Sequence, residues 1–154
     1  QISKSLTNGR NYFNVVFSGY MQKNSQYNDF LNSSDIVIGM SGGEGWGLPE
    51  FQSVCLGKHA VILNASAYRD WATKENSVLV SPSGKRDVYD NMFFHKGHEY
   101  NQGQIYDFNE DEFIAGCEEA IKRVEANRLN EEGEKLKDKF SYDKTLDKIL
   151  EHME

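Results

Sequence analysis

The chain has 154 residues, a formal net charge of -7, 38% hydrophobic residues and 27% charged residues. This length suits one domain, residues 1–154, with a core of its own. A mean hydropathy of -0.67 and the lack of an apolar run near the roughly 18 residues a span requires argue against a transmembrane helix. No basic-then-apolar leader is visible. Two Trp, eight Tyr, nine Phe and only two Pro do not describe a disordered segment. Cys55 and Cys117 cannot build a disulfide framework, and they read as buried, reduced thiols in a cytoplasmic protein.

The charge is unevenly spread. Residues 1–106 hold 9 acids and 9 bases, whereas residues 107–154 hold 15 acids and 8 bases. No basic stripe exists to displace counterions, so nucleic acid is not an expected partner. A compact anion remains compatible with the neutral first part. The chain opens at Gln1 with a polar segment, QISKSLTNGR, that has no clear period. It reads as a fragment of something longer.

Along the chain, short apolar runs alternate with helical patterns. Tyr12 to Phe17 reads as a strand, 25–33 as a short helix and Asp35 to Met40 as a second strand. Pro49 to Leu56 reads as a helix, with Pro in its first turn and Gly57 after its end. Ala60 to Leu63 is a third strand, Tyr68 to Thr73 a helical turn and Ser77 to Ser81 a fourth strand. Continuous apolar strands separated by helices predict an α/β fold: a Rossmann-like parallel sheet of about four strands with helices on both faces. Residues 83–106 are polar and aromatic and read as a loop or insertion, whose Tyr89, Phe93, Phe94, Tyr100 and Tyr106 suit packing onto the sheet or, as the alternative, a lid or a platform for stacking on a sugar. The region 107–154 reads as C-terminal helices. Asn109 is the expected N-cap of the first, with Glu112 completing a capping box and Phe108 and Phe113 a hydrophobic staple. The charge run NEEGEKLKDK reads as a solvated helical face. A last helix, 141–153, carries Leu146, Ile149, Leu150 and Met153.

The segment with chemical content is SGGEGWGLPEFQ, Ser41 to Gln52. It follows a predicted strand and opens a predicted helix. Four Gly in seven residues let the backbone approach a ligand closely. Free amides at the head of the Pro49 helix favour an anionic group such as a phosphate. Ligands of open α/β sheets sit in this position, beyond the carboxyl ends of the strands. The glycine spacing matches neither the P-loop nor the dinucleotide fingerprint.

The stretch SGGEGWGLPEFQSVCLGKHAVILN resembles the donor-site segment of retaining glycosyltransferases of the GT-B fold, family 4. The similarity extends upstream through FSGYMQKNSQYNDFLNSSDIVIGMS and downstream to VLVSP and FSYDKTLDKIL. The resemblance implies a GT-B C-terminal domain that transfers a sugar from a nucleotide-sugar donor with retention of configuration. By that resemblance Glu44 contacts the transferred sugar and is the catalytic residue. Gly43, Gly45, Trp46, Gly47 and Leu48 line the donor, Pro49 helps the helix entry, and Asn64 and Ser66 stand where small residues meet phosphate or sugar. The family's ribose-binding Glu falls on Gln52, which keeps a hydrogen-bonding amide but loses the charge. The family also holds the diphosphate with an Arg and a Lys from an earlier strand–helix unit. Arg10 is the only Arg upstream and does not match well, so the first βαβ unit and the acceptor-binding N-terminal domain are expected to be missing. The isolated chain is then expected to be inactive. The resemblance calls for no cofactor and no metal.

The remaining candidates carry less. Arg69 can meet phosphate but reads as a surface ion pair, and Trp46 suits packing under the loop as well as covering a donor. Glu50 reads as a structural acid in the first helical turn. His95, His98 and Glu99 have a metal-ligand spacing only on a helix, and Gly97 interrupts that pattern. No nucleophilic arrangement can be argued. The alternative is a non-catalytic or truncated GT-B-like module that binds a partner or associates with itself as a homodimer, through apolar surface the missing unit would cover. The sugar, the base and the glycan, lipid or protein acceptor are not encoded in any readable motif.

Overall fold

The computed structural model describes residues 14–89, 91–100 and 103–153. The chain enters through α1, Asn24–Ser33, whose start is tied by the Lys23 amide donating to the Gln26 side chain at 3.2 Å. Then come β1, Ile36–Gly39; α2, Leu48–Cys55; and β2, His59–Leu63. A 3-10 turn, Ser66–Asp70, leads to β3, Val78–Val80. The strands β4, Pro82–Asp87, and β5, Gln104–Phe108, precede α3, Glu110–Ala126. Three helices close the chain: α4, Glu131–Glu134; α5, Leu136–Lys139; and α6, Tyr142–Glu151.

The protein is a mixed α/β structure built on a parallel sheet of order β1-β2-β3. Val37 lies opposite Ala60, and Val61 opposite Val78. Every residue of β2 is buried, as expected of a strand covered on both faces. On one face Ala60 and Ile62 pack with Val54, Tyr68, Trp71 and Leu136. On the other, Val61 and Val80 pack with Ala120 of α3. Among the described residues no helix is long and apolar enough to cross a membrane.

Several expectations change. The parallel sheet has three strands among the described residues rather than about four. Asn14 to Phe17 form no strand, and Tyr12, Phe13 and Arg10 lie outside the described residues. The segment 83–106 is not a plain loop. Its ends are β4 and β5, an antiparallel pair that places Lys85 opposite Tyr106. The polar sequence of β4 hid this strand, because its side chains are nearly all exposed and show no apolar alternation. Tyr89, Phe93 and Tyr100 are exposed instead of packed on the sheet.

At the helix start the Asn109 cap and the staple form as expected, but Glu112 does not bond back to the Asn109 amide, so the capping box is not completed. The Asn109 side chain accepts from the Asp111 and Glu112 amides, and the Phe108 and Phe113 rings meet edge to face at 5.7 Å. The charge run at 130–139 is not only a solvated face. Buried Asn130, Gly133 and Leu136 form its inner side. Cys55 and Cys117 are free and half-buried rather than buried, and burial raises the Cys55 thiol to about 11.

Candidate functional site

The glycine-rich segment joins the carboxyl end of β1 to the start of α2. Gly47 is the N-cap of α2 with φ 71° and ψ 56°, a left-handed conformation. A side chain there would strike the Tyr68 ring as well as strain the backbone, so glycine answers both demands. Pro49 follows in the first turn, where its missing amide costs nothing. At the other end of the loop the Tyr106 amide donates to the Gly42 carbonyl at 3.0 Å. A Cβ on Gly42 would run into the Tyr106 backbone. The β4–β5 pair is thereby held against the first half of the loop.

Glu44 is exposed at the loop's tip, and its amide donates to Ser66 Oγ at 3.1 Å. Ser66 has φ 46°, an uncommon left-handed conformation for a residue with a Cβ. Asn64, at the end of β2, turns its carbonyl to Arg69 Nε at 3.0 Å. The structure thus brings Glu44, Asn64 and Ser66 to one edge of the sheet. Gly43 and Gly45 are exposed on the same loop, and Leu48 is exposed where α2 begins. Trp46 turns inward. Its ring meets Phe51 and Phe140 edge to face, and its carbonyl accepts from Trp71 Nε1 at 2.9 Å. Gln52 is exposed in the second turn of α2. Its Oε1 accepts from the Tyr27 hydroxyl at 3.1 Å, and it lines a cavity of about 360 Å³ between α1 and α2 with Leu31, Phe51 and Cys55.

Two residues beneath the loop set its electrostatics. Tyr68 is fully buried, and its hydroxyl has no hydrogen-bond partner of ordinary geometry. Burial raises its pKa, and the charges of Glu50 and Glu44 raise it further. Glu50 is half-buried, and burial holds its carboxyl above the usual range, partly offset by a bond to its own amide and reinforced by Glu44. The Phe51 amide closes the first turn onto the Gly47 carbonyl at 2.9 Å. With Pro49 lacking an amide and Glu50 turned on its own, the positive end of α2 already holds one internal carboxylate. Tyr68 was not legible as part of the site, because nothing in sequence places it under Gly47. Glu50 carried one signal, an acid in the first turn after a glycine cap.

His95 and His98 stay in the segment between β4 and β5, where the His98 ring lies 5.6 Å from that of Tyr100. Among the described residues no three His, Cys, Asp or Glu side chains gather as metal ligands. No family model matches this chain, and no curated protein is similar enough to it to count as a relative.

Proposed function

We propose that this chain is the donor-site domain of a retaining glycosyltransferase of the GT-B, family 4 type, working as part of a longer cytoplasmic enzyme on a nucleotide sugar. One observation carries the reading. A glycine loop at the carboxyl edge of a parallel sheet presents exposed Glu44 beside Ser66. Glu44 accepts hydrogen bonds from sugar hydroxyls. Leu48 at the head of α2 and the exposed backbone of Gly43 and Gly45 face the leaving diphosphate, with Gly47 buried beneath them as the helix cap and the helix dipole shared between the diphosphate and Glu50. The Gln52 amide, its carbonyl already engaged by Tyr27, donates its N–H groups to ribose. Calorimetric titration with a panel of nucleotide sugars and nucleoside diphosphates tests this. One nucleotide sugar binds, and Glu44→Ala weakens it while leaving the matching diphosphate unchanged. Failure of the whole panel to bind removes the reading.

A second reading, a non-catalytic GT-B-like module that binds a partner or a second copy, draws on exposed apolar surface. Val16 and Tyr20 are 89% and 93% exposed, and they line a cavity of about 500 Å³ with Phe17 and Phe30. Sedimentation separates the two readings. A monomer that binds a nucleotide sugar supports the first, and a dimer that binds none supports the second.

A further inference from the structure

The head of α2 already holds a carboxylate of the chain's own. Glu50 stands half-buried in the first turn, and its carboxyl bonds its own amide. The neighbouring positions have little left for an anion. Pro49 has no amide to donate, and the Phe51 amide is bonded to the Gly47 carbonyl at 2.9 Å. A Cβ on Gly47 would stand 3.2 Å from Glu50 Oε2. One on Gly39 would stand 2.8 Å from Glu50 Cγ and 3.1 Å from the Tyr68 hydroxyl. Glu50 and Tyr68 therefore converge between the carboxyl end of β1 and the N-cap of α2.

No cation meets this carboxyl: none of the ion pairs among the described residues includes Glu50. The groups facing it are Glu44 from the loop, Tyr68 from the 3-10 turn and Tyr27 from α1. The Tyr68 hydroxyl is fully buried and approaches the carboxyl from just outside ordinary hydrogen-bond geometry. Elsewhere around α2, β1 brings no titratable side chain. His59 Nε2 of β2 lies 2.8 Å from the Asn127 carbonyl. Glu132 pairs with Lys135, and Glu134 with Lys137. The one positive partner of Glu50 is the end of the helix dipole. A second anion arriving there competes for the dipole and for the Glu50 amide, and it repels the carboxylate. A proton on Glu50 removes the conflict.

We propose that Glu50 is the resident occupant of the anion seat at the head of α2, so that an anion bound there and a proton on the Glu50 carboxyl are taken up together. The proposal rests on the donor-site reading for the identity of that anion and adds to it a control by pH. The proton comes from solvent. Ionised Glu50 opposes the anion and neutral Glu50 admits it, so affinity rises as pH falls. The dependence is at most about tenfold per pH unit, the limit for one linked proton.

The test is calorimetric titration of the 154-residue chain with the nucleotide-sugar panel and, in parallel, with inorganic sulfate, whose charges stay constant over the range used. The range runs from pH 4.5, the ordinary carboxylate value, to about pH 8, in two buffers of different ionisation heat. Wild type takes up as much as one proton on binding and binds several-fold more weakly at the upper end. Glu50→Gln and Glu50→Ala bind across the range as tightly as wild type does at its lower end, with no proton uptake. Asp29→Asn, exposed on α1, keeps the wild-type profile. A cooperative urea transition at each pH shows that a variant is folded, and either Glu50 variant suffices. Wild-type affinity that is flat with pH, or a dependence that survives in the Glu50 variants, overturns the proposal; if a nucleotide sugar still binds, the donor-site reading stands. Sulfate bound with Glu50-dependent proton uptake, and no nucleotide sugar bound, supports the seat and overturns the donor-site reading. Wild type that binds neither probe overturns both.

Discussion

Tyr106 and Gly42 are joined backbone to backbone, the Tyr106 amide donating to the Gly42 carbonyl at 3.0 Å. This bond connects two parts of the chain more than sixty residues apart and fixes how far the β4–β5 pair stands from the loop. There is no room between them for a side chain on Gly42. Gly42→Ala therefore forces the two backbones apart. We expect a loss of about 1–3 kcal/mol, the usual cost of overpacking, read by urea denaturation. An unchanged denaturation midpoint would show that the strand pair does not rest on the loop.

Tyr68 and Glu50 give a second test. The Tyr68 hydroxyl is buried and faces the Glu50 carboxyl and the Ser41 backbone from just outside ordinary hydrogen-bond geometry, so removing it breaks no well-formed bond. Tyr68→Phe should hold wild-type stability or gain up to about 1 kcal/mol. A clear loss in chemical denaturation would mean that the hydroxyl is bonded in solution.

The Glu50 carboxyl lies above its ordinary value of 4.5, chiefly through burial. A raised folded-state pKa means that the protonated form is favoured by folding. That contribution is fully present below the unfolded value and is lost as pH rises through the folded one. Glu50→Gln removes this dependence. The stability difference between variant and wild type should therefore grow in favour of the variant as pH climbs from about 4.5 toward neutrality. A difference that stays flat or shrinks over that range contradicts the assignment.

Asn130 ties three segments together. Its Nδ2 donates to the Lys58 carbonyl at 3.0 Å and the Asn76 carbonyl at 2.8 Å, and its Oδ1 accepts from the Gly133 amide at 3.0 Å. Asn130→Ala strands two carbonyls and an amide in the interior. A cost of about 2–4 kcal/mol follows, several ordinary hydrogen bonds' worth, visible as a lower urea midpoint. Nucleotide-sugar binding at saturating folded protein should be unaffected, since the bonds of Asn130 run to Gly57, Lys58, Asn76, Gly133 and Glu134, none of them in the glycine loop.

Gln52 is the clearest chemical departure from the resembled pattern. Gln52→Glu restores a carboxylate that still accepts from Tyr27. If the donor-site reading holds, affinity for the bound nucleotide sugar rises several-fold, because hydrogen bonds to a charged acceptor are roughly twice as strong. Calorimetry that finds weaker binding in the variant would place ribose elsewhere.

The elements with a strong local signal are legible in the sequence itself. The apolar runs at β1, β2 and β3, the Pro49 helix and the Asn109 cap each follow from short-range rules: a buried strand needs continuous apolar residues, and a helix start needs a side-chain acceptor for its open amides. The glycine loop was legible for the same reason. The β4–β5 pair was not, because an exposed antiparallel pair needs backbone partners and no apolar alternation. Nor could the order of residues reveal Tyr68 under Gly47, Trp46 turned in against Phe140, or the cations of Arg69 and Lys85 each near the Tyr106 ring. Those are contacts between distant segments, set by how the sheet and helices pack, and chain folding alone brings such charges and rings together.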